Sequence, residues 1–256
     1  MDPQNPIHDI SGFYPTLHLP GGVEFPTYFI ITSLSFVLAI LWLVKRADHF
    51  GTSRNRALDL ALVVMMTGFA GSRLFHVFFE EPNYYWQHPM RIFEFWMGGF
   101  VWYGGALAGG ISALIFLRLK REPLLPWLDL LAPVASLGYA LGRFACLATG
   151  CCFGEICVLP NSFGGTSFRH PTQLYAIVFE SAVLVLLLTL ERKRERPAGQ
   201  IFFIWLVGHS IGRIVMEYFR ADPRGPEPLG ISIATWISFV LIAISLFFLR
   251  RSRKAK

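Results

Sequence analysis

Seven stretches of mostly apolar residues, at about 23–44, 57–79, 98–117, 127–149, 172–190, 200–219 and 230–249, fill most of this 256-residue chain. A helix needs about 20 such residues to cross the hydrocarbon core of a bilayer. The expected fold class is therefore all-α: a polytopic membrane protein with about seven transmembrane helices. It is expected to form a single transmembrane domain over residues 1–256, because the windows leave no room for a separate soluble domain. Composition agrees. Hydrophobic residues make up 54% and charged residues 16%, against roughly 25% charged in an ordinary soluble domain. The opening Met1-Asp2-Pro3-Gln4-Asn5-Pro6 lacks the basic region of a removable signal peptide, so the first apolar run is expected to remain as a span.

Charge placement supplies an independent reading, because Lys and Arg in short loops collect on the cytoplasmic side. Alternate connections carry Lys45, Arg46, Arg54 and Arg56; Arg118, Lys120 and Arg121; Arg192, Lys193, Arg194 and Arg196; and the tail from Arg250 to Lys256. These groups hold most of the 23 basic residues, while the opposite set holds Arg91, Arg169, Arg220 and Arg224. The expected topology is N-terminus outside, C-terminus cytoplasmic. The net charge of +6 is thus read as positive-inside loops, and nucleic acid is not an expected partner.

Three basic residues fall inside the spans: Arg73, Arg143 and Arg213. Each lies late in a span running outward, which predicts a shared depth in the outer half of the bilayer. Intramembrane charges are costly and normally face a bundle interior, an ionic partner or a water-filled cavity. A lone arginine also has a structural reading, snorkelling or pairing with an acid; three at one level favour an anion site. Glu217 follows Arg213 by four residues, the spacing for a helical ion pair. Glu180 in the fifth window is a further buried acid, expected to partner one of the arginines, while Asp59 and Asp129 suit helix N-termini. Glycines precede each arginine and suit close helix packing, or room for a head-group. The segment Gly98 to Gly105 is a poor plain helix start; it reads either as a broken segment lining a cavity, with Tyr103 offering its hydroxyl, or as an interfacial aromatic belt.

All four cysteines, Cys146, Cys151, Cys152 and Cys157, lie in one stretch after the fourth span. On an exported side, disulfides persist, and four cysteines allow three complete pairings. Disulfides or lone thiols are favoured over a metal site, since adjacent cysteines seldom ligate one tetrahedral ion; a thiol activated by Arg143 is a separate reading. No metal or cofactor is expected. Beyond this loop, His170 precedes Pro171 at the mouth of the fifth span, with Gln173 and Tyr175 beside it. His170 reads as a phosphate ligand, a base or a local cap.

Taken in order, Pro26-Thr27-Tyr28, Gly71-Ser72-Arg73, the double-glycine segment, Gly142-Arg143 with Gly150 and Gly154, His170-Pro171-Thr172-Gln173-Leu174-Tyr175, and Arg213 through Arg220 resemble the prolipoprotein diacylglyceryl transferase family of bacteria. The histidine-proline-threonine-glutamine-leucine-tyrosine string is the specific part, and the resemblance spans nearly the whole chain. It implies a transferase of lipoprotein biosynthesis in the bacterial plasma (inner) membrane, multi-pass, with its site near the periplasmic or outer face. The implied reaction moves a diacylglyceryl group from phosphatidylglycerol to the lipobox cysteine thiol of a secreted preprolipoprotein, releasing glycerol phosphate. By the same resemblance Arg143 and Arg213 match the family's essential arginines and Tyr28 a pocket tyrosine. Together with the residues read above, the catalytic candidates are Arg143, Arg213, Tyr103 and His170, and Tyr28, Arg73, Gln173, Tyr175 and Glu217 are expected to bind substrate.

The chain departs from the family pattern at three places. Ala145-Cys146 stand where glycine and asparagine are usual, Cys151 where glutamate is usual, and Tyr103 where a histidine precedes the double glycine. Tyr103, with an ordinary pKa near 10, is a poorer base than histidine, which leaves His170 to take the proton. Two other readings stand beside the family reaction: a paralogous phospholipid head-group transferase with another acceptor, and a non-catalytic lipid-binding membrane protein.

Overall fold

The computed structural model describes residues 16–19, 23–95, 98–158, 167–192, 196–220 and 228–254. These residues form eight α-helices: α1 Thr27–Ala47, α2 Arg54–Phe75, α3 Pro82–Gln87, α4 Trp102–Leu119, α5 Leu124–Ala148, α6 Thr172–Glu191, α7 Gln200–Tyr218 and α8 Ile233–Lys254. Among the described residues, seven helices are long and apolar enough to cross a membrane, all but the short α3. They coincide with the seven apolar windows to within a few residues. Large apolar side chains such as Leu34, Val178 and Phe247 are exposed along them, as expected where lipid rather than water is the solvent. The protein is thus an all-α, polytopic membrane protein. Two short antiparallel ladders accompany the helices. β1 (Thr16–Leu19) pairs with β2 (Val23–Pro26), and β3 (Ile156–Val158) with β4 (Ser167–Arg169).

The chain forms two compact units, residues 40–127 and residues 1–39 with 128–256. In the smaller unit α2 and α4 approach so closely that glycine is required. A Cβ at Gly71 would lie 2.3 Å from the Ala108 Cβ, and one at Gly104 would lie 2.3 Å from the Phe75 Cβ. The packing reading of these glycines therefore holds. The Thr67 and Ser112 hydroxyls meet at 2.7 Å across the same interface. Helix α4 begins at Trp102, four residues later than the apolar window, because Gly98 (φ 82°) and Gly99 (φ 77°) adopt a left-handed conformation ahead of it.

In the larger unit Ala132, Val183, Leu187 and Ile201 form the buried core, flanked by Phe179 and Trp205. Asp129 of α5 accepts hydrogen bonds from the Gly199 (2.7 Å) and Phe202 (2.9 Å) amides. The carboxylate expected to serve the start of its own helix instead caps α7, whose first amides have no intrahelical acceptors.

Candidate functional site

Within the smaller unit, Arg73 occupies the last turn of α2 and is buried. Its guanidinium donates to the carbonyls of Ile92 (3.1 Å), Arg91 (2.8 Å), Gly98, Gly99 (3.3 Å) and Glu94 (3.4 Å). The Tyr85 ring lies 5.3 Å from its Cζ. The left-handed glycine pair turns two of those carbonyls toward the charge, so Arg73 closes the loop between α3 and α4. Tyr103, in the first turn of α4, is exposed, its ring 5.4 Å from that of Trp102.

The larger unit carries Tyr28, Arg143, His170, Gln173, Tyr175, Arg213 and Glu217, and the contacts fall into two clusters. Arg143 near the end of α5 places its guanidinium carbon 5.0 Å from the centre of the Tyr139 ring. Tyr139 in turn meets the His209 ring edge-on at 4.7 Å. His209 Nδ1 lies 3.0 Å from Glu180 Oε2, and the Trp205 indole donates to Glu180 Oε1 at 3.0 Å. Glu180 thus partners a histidine and a tryptophan rather than an arginine. Two directed hydrogen bonds satisfy a carboxylate that is 2% exposed.

Arg213, one turn beyond His209, pairs through Nη2 with Glu217 Oε2 at 3.0 Å, the i,i+4 pair expected from the sequence. Its other terminal nitrogen, Nη1, is buried and has no hydrogen-bond partner among the described residues. Arg213 lines a small cavity with Tyr139, Glu180, His209, Gly212 and Met216. Gly212 makes room for the Phe179 ring, which a Cβ there would meet at 2.6 Å. Glycine before Arg213 therefore serves helix packing, not head-group space.

A second cluster surrounds the start of α6. His170 Nδ1 lies 3.2 Å from the Tyr175 hydroxyl, and both rings pack on Phe219, at 5.1 and 5.6 Å. The Gly154 amide donates to His170 O (2.8 Å) and the Glu155 amide to Phe219 O (2.9 Å). A Cβ at Gly154 would come within 2.2 Å of that Phe219 oxygen. The loop after α5 is pinned to α6, because Thr172 Oγ1 donates to Cys152 O at 2.7 Å and Gln173 Nε2 donates to Cys151 O. Gln173 is wholly buried, with its Oε1 unpartnered among the described residues. Tyr28, at the first turn of α1, lies within electrostatic range of Arg143 and of the loop cysteines.

Cys146, Cys151 and Cys152 are free thiols, so no disulfide joins them; the Cys157 side chain lies outside the described residues. The Cys152 thiol is held below its ordinary pKa, first by hydrogen bonding to Cys146, then to Cys151, and further by the Arg220 and Arg143 charges. Sequence reading missed Tyr139 and His209. The signal was present: each stands four residues before an arginine, on the same helical face.

A family model described as prolipoprotein diacylglyceryl transferase matches residues 15–251. The chain is similar to several proteins named phosphatidylglycerol–prolipoprotein diacylglyceryl transferase. One from Clostridium tetani is 29% identical over 243 residues, covering 92% of this chain and 96% of that protein. One from Nitrosomonas europaea is 34% identical over 236 residues, covering 87% and 84%. One from Polaromonas naphthalenivorans is 32% identical over 238 residues, covering 86% and 87%.

Proposed function

The chain belongs to the prolipoprotein diacylglyceryl transferase family, and on that premise we propose that it transfers the diacylglyceryl group of phosphatidylglycerol to the lipobox cysteine of a preprolipoprotein. The substrate thiol loses its proton and attacks the glyceryl carbon that bears the phosphate. A C–S bond forms as the C–O bond breaks, the phosphate oxygen keeps the electron pair, and glycerol phosphate leaves. The reaction takes place in the bacterial inner membrane, near its outer face, with the N-terminus outside and the C-terminus in the cytoplasm.

Arg213 and Arg143 hold the phosphodiester and stabilise the charge that grows on the departing oxygen. The observation that carries this assignment is the buried, unpartnered Nη1 of Arg213, a residue that also lines a cavity with Tyr139, over whose ring Arg143 lies. Glu217 fixes the orientation of the Arg213 fork, and Glu180 with His209 supports the same cavity. His170 accepts the thiol proton, while Tyr175, Gln173 and Tyr28 shape the surroundings in which the substrates bind. Tyr103 and Arg73 enter from the sequence alone, Tyr103 as the hydroxyl standing where the family has a histidine and Arg73 as a substrate contact, a role that its hydrogen bonds to loop carbonyls do not support.

Purified protein supplied with phosphatidylglycerol and a lipobox peptide should form the thioether and release glycerol phosphate; absence of turnover with such peptides overturns the reading. The substitutions at Tyr103, Cys146 and Cys151 favour one alternative, a head-group transferase with another acceptor. Consumption of phosphatidylglycerol without any lipobox peptide would select it.

A further inference from the structure

The loop that follows α5 does something unusual with adjacent cysteines. In extended chain, neighbouring side chains point to opposite faces, so Cys151 and Cys152 would diverge. Here the end of α5 reverses through Gly150, whose φ is 70°, and Cys152 itself takes a left-handed φ of 66°. That conformation is uncommon for a residue with a side chain and is sustained only where surrounding contacts impose it. Those contacts are the hydrogen bonds from Thr172 and Gln173 to the carbonyls of Cys152 and Cys151, together with the Cys151 amide donating to Cys146 O at 3.1 Å.

The result is convergence. Cys151 and Cys152 Sγ lie 3.6 Å apart, and the three sulfurs of Cys146, Cys151 and Cys152 all lie within 4.8 Å of one another. An ion bonded to each at about 2.3 Å requires sulfurs roughly 3.8–4.0 Å apart. Side-chain rotations that bring the sulfurs closer by up to about 1 Å close that difference. All three donors are sulfur, which selects soft ions over Mg²⁺ or Ca²⁺. Three thiolates around a monovalent or divalent cation leave net negative charge, and the Arg143 and Arg220 guanidinium groups act on this cluster with the opposite sign.

We propose that Cys146, Cys151 and Cys152 form a trithiolate site for a soft d¹⁰ metal ion, Cu(I) or Zn(II). Three sulfurs suffice for trigonal Cu(I); Zn(II) keeps an open fourth position. Binding releases the thiol protons to solvent and clips the end of α5 to the start of α6 through the carbonyls already held by Thr172 and Gln173. The site does not depend on the transferase reading, because binding is measured without turnover.

Full-length protein, purified in detergent under anaerobic reducing conditions, is titrated with Cu(I) and separately with Zn(II) against chromophoric chelators. The expected result is one ion per chain for at least one of the two metals. Bound metal should shield Cys146, Cys151 and Cys152 from alkylation, as mapped by mass spectrometry on the unmutated protein. Cys146→Ser and Cys151→Ser should each weaken binding more than about a hundredfold, beyond the range seen when only supporting residues are changed. The proposal is overturned if neither ion competes with the chelators, if alkylation of the three thiols is indifferent to metal, or if Cys146→Ser binds like the unmutated protein. A disulfide within the trio, in protein taken from membranes without reductant, also overturns it.

Discussion

Arg73 and Arg213 carry the same sequence signature, a lone guanidinium late in an apolar span, yet the two units of the molecule use them in opposite ways. In the smaller unit the guanidinium of Arg73 is spent on the carbonyls of one loop. In the larger unit Arg213 commits one nitrogen to Glu217 and leaves the other buried without a partner among the described residues. A donor already saturated by backbone holds structure, whereas an unsatisfied one carries a desolvation cost of about 1–3 kcal/mol that an anion can relieve. The same contrast runs through the packing. The smaller unit closes helix on helix through glycine, and the larger one lines a cavity with tyrosine, histidine and glutamate.

The largest expected effect tests the unspent donor. Arg213→Lys keeps the charge and loses the planar fork, so kcat/KM for thioether formation should fall about 10²–10³-fold while the unfolding midpoint in detergent stays put. Arg143→Lys should behave alike. A stability loss with normal turnover per folded molecule would make Arg213 a second Arg73 and erase the distinction.

Arg73→Leu should do the reverse, lowering unfolding free energy by about 3 kcal/mol or more, since charged hydrogen bonds to several partly buried carbonyls vanish together. Reversible denaturant titration in micelles reads this directly. Retained stability with lost lipid binding would instead make Arg73 a substrate contact, as the sequence suggests.

Two smaller changes probe how each unit is held. Gly104→Ala forces a methyl against Phe75 and the Gly71 carbonyl oxygen, 2.5 Å away, and should cost about 1–3 kcal/mol through overpacking; an unchanged midpoint would mean the α2–α4 interface yields easily. Asp129→Ala removes the acceptor of two α7 amides and should cost about 1 kcal/mol, with amide exchange quickening at residues 199–202 and not elsewhere in α7.

Much of the fold was legible because membrane insertion is written locally. Each span declares itself through some twenty consecutive side chains. The Arg213–Glu217 pair was legible for the same reason, both residues lying on one helical turn. Tyr139 and His209 sat at equally readable spacings but lacked a charge to draw notice. The glycines before Arg73 and Arg213 allowed two readings, since head-group room and helix contact both demand the same missing Cβ, and helix contact is the one the structure fills.

By itself the sequence determined the number of spans, the family and the identity of the arginines, because hydropathy and short motifs are properties of neighbouring residues. Only the tertiary structure decided where each polar group spends its hydrogen bonds. Asp129 caps a helix that begins about seventy residues later. Glu180 chooses His209 and Trp205 over an arginine, and adjacent cysteines turn their sulfurs toward Cys146. Those outcomes depend on which distant donors and acceptors packing brings within about 3 Å of one another, a distance that spacing along the chain does not encode.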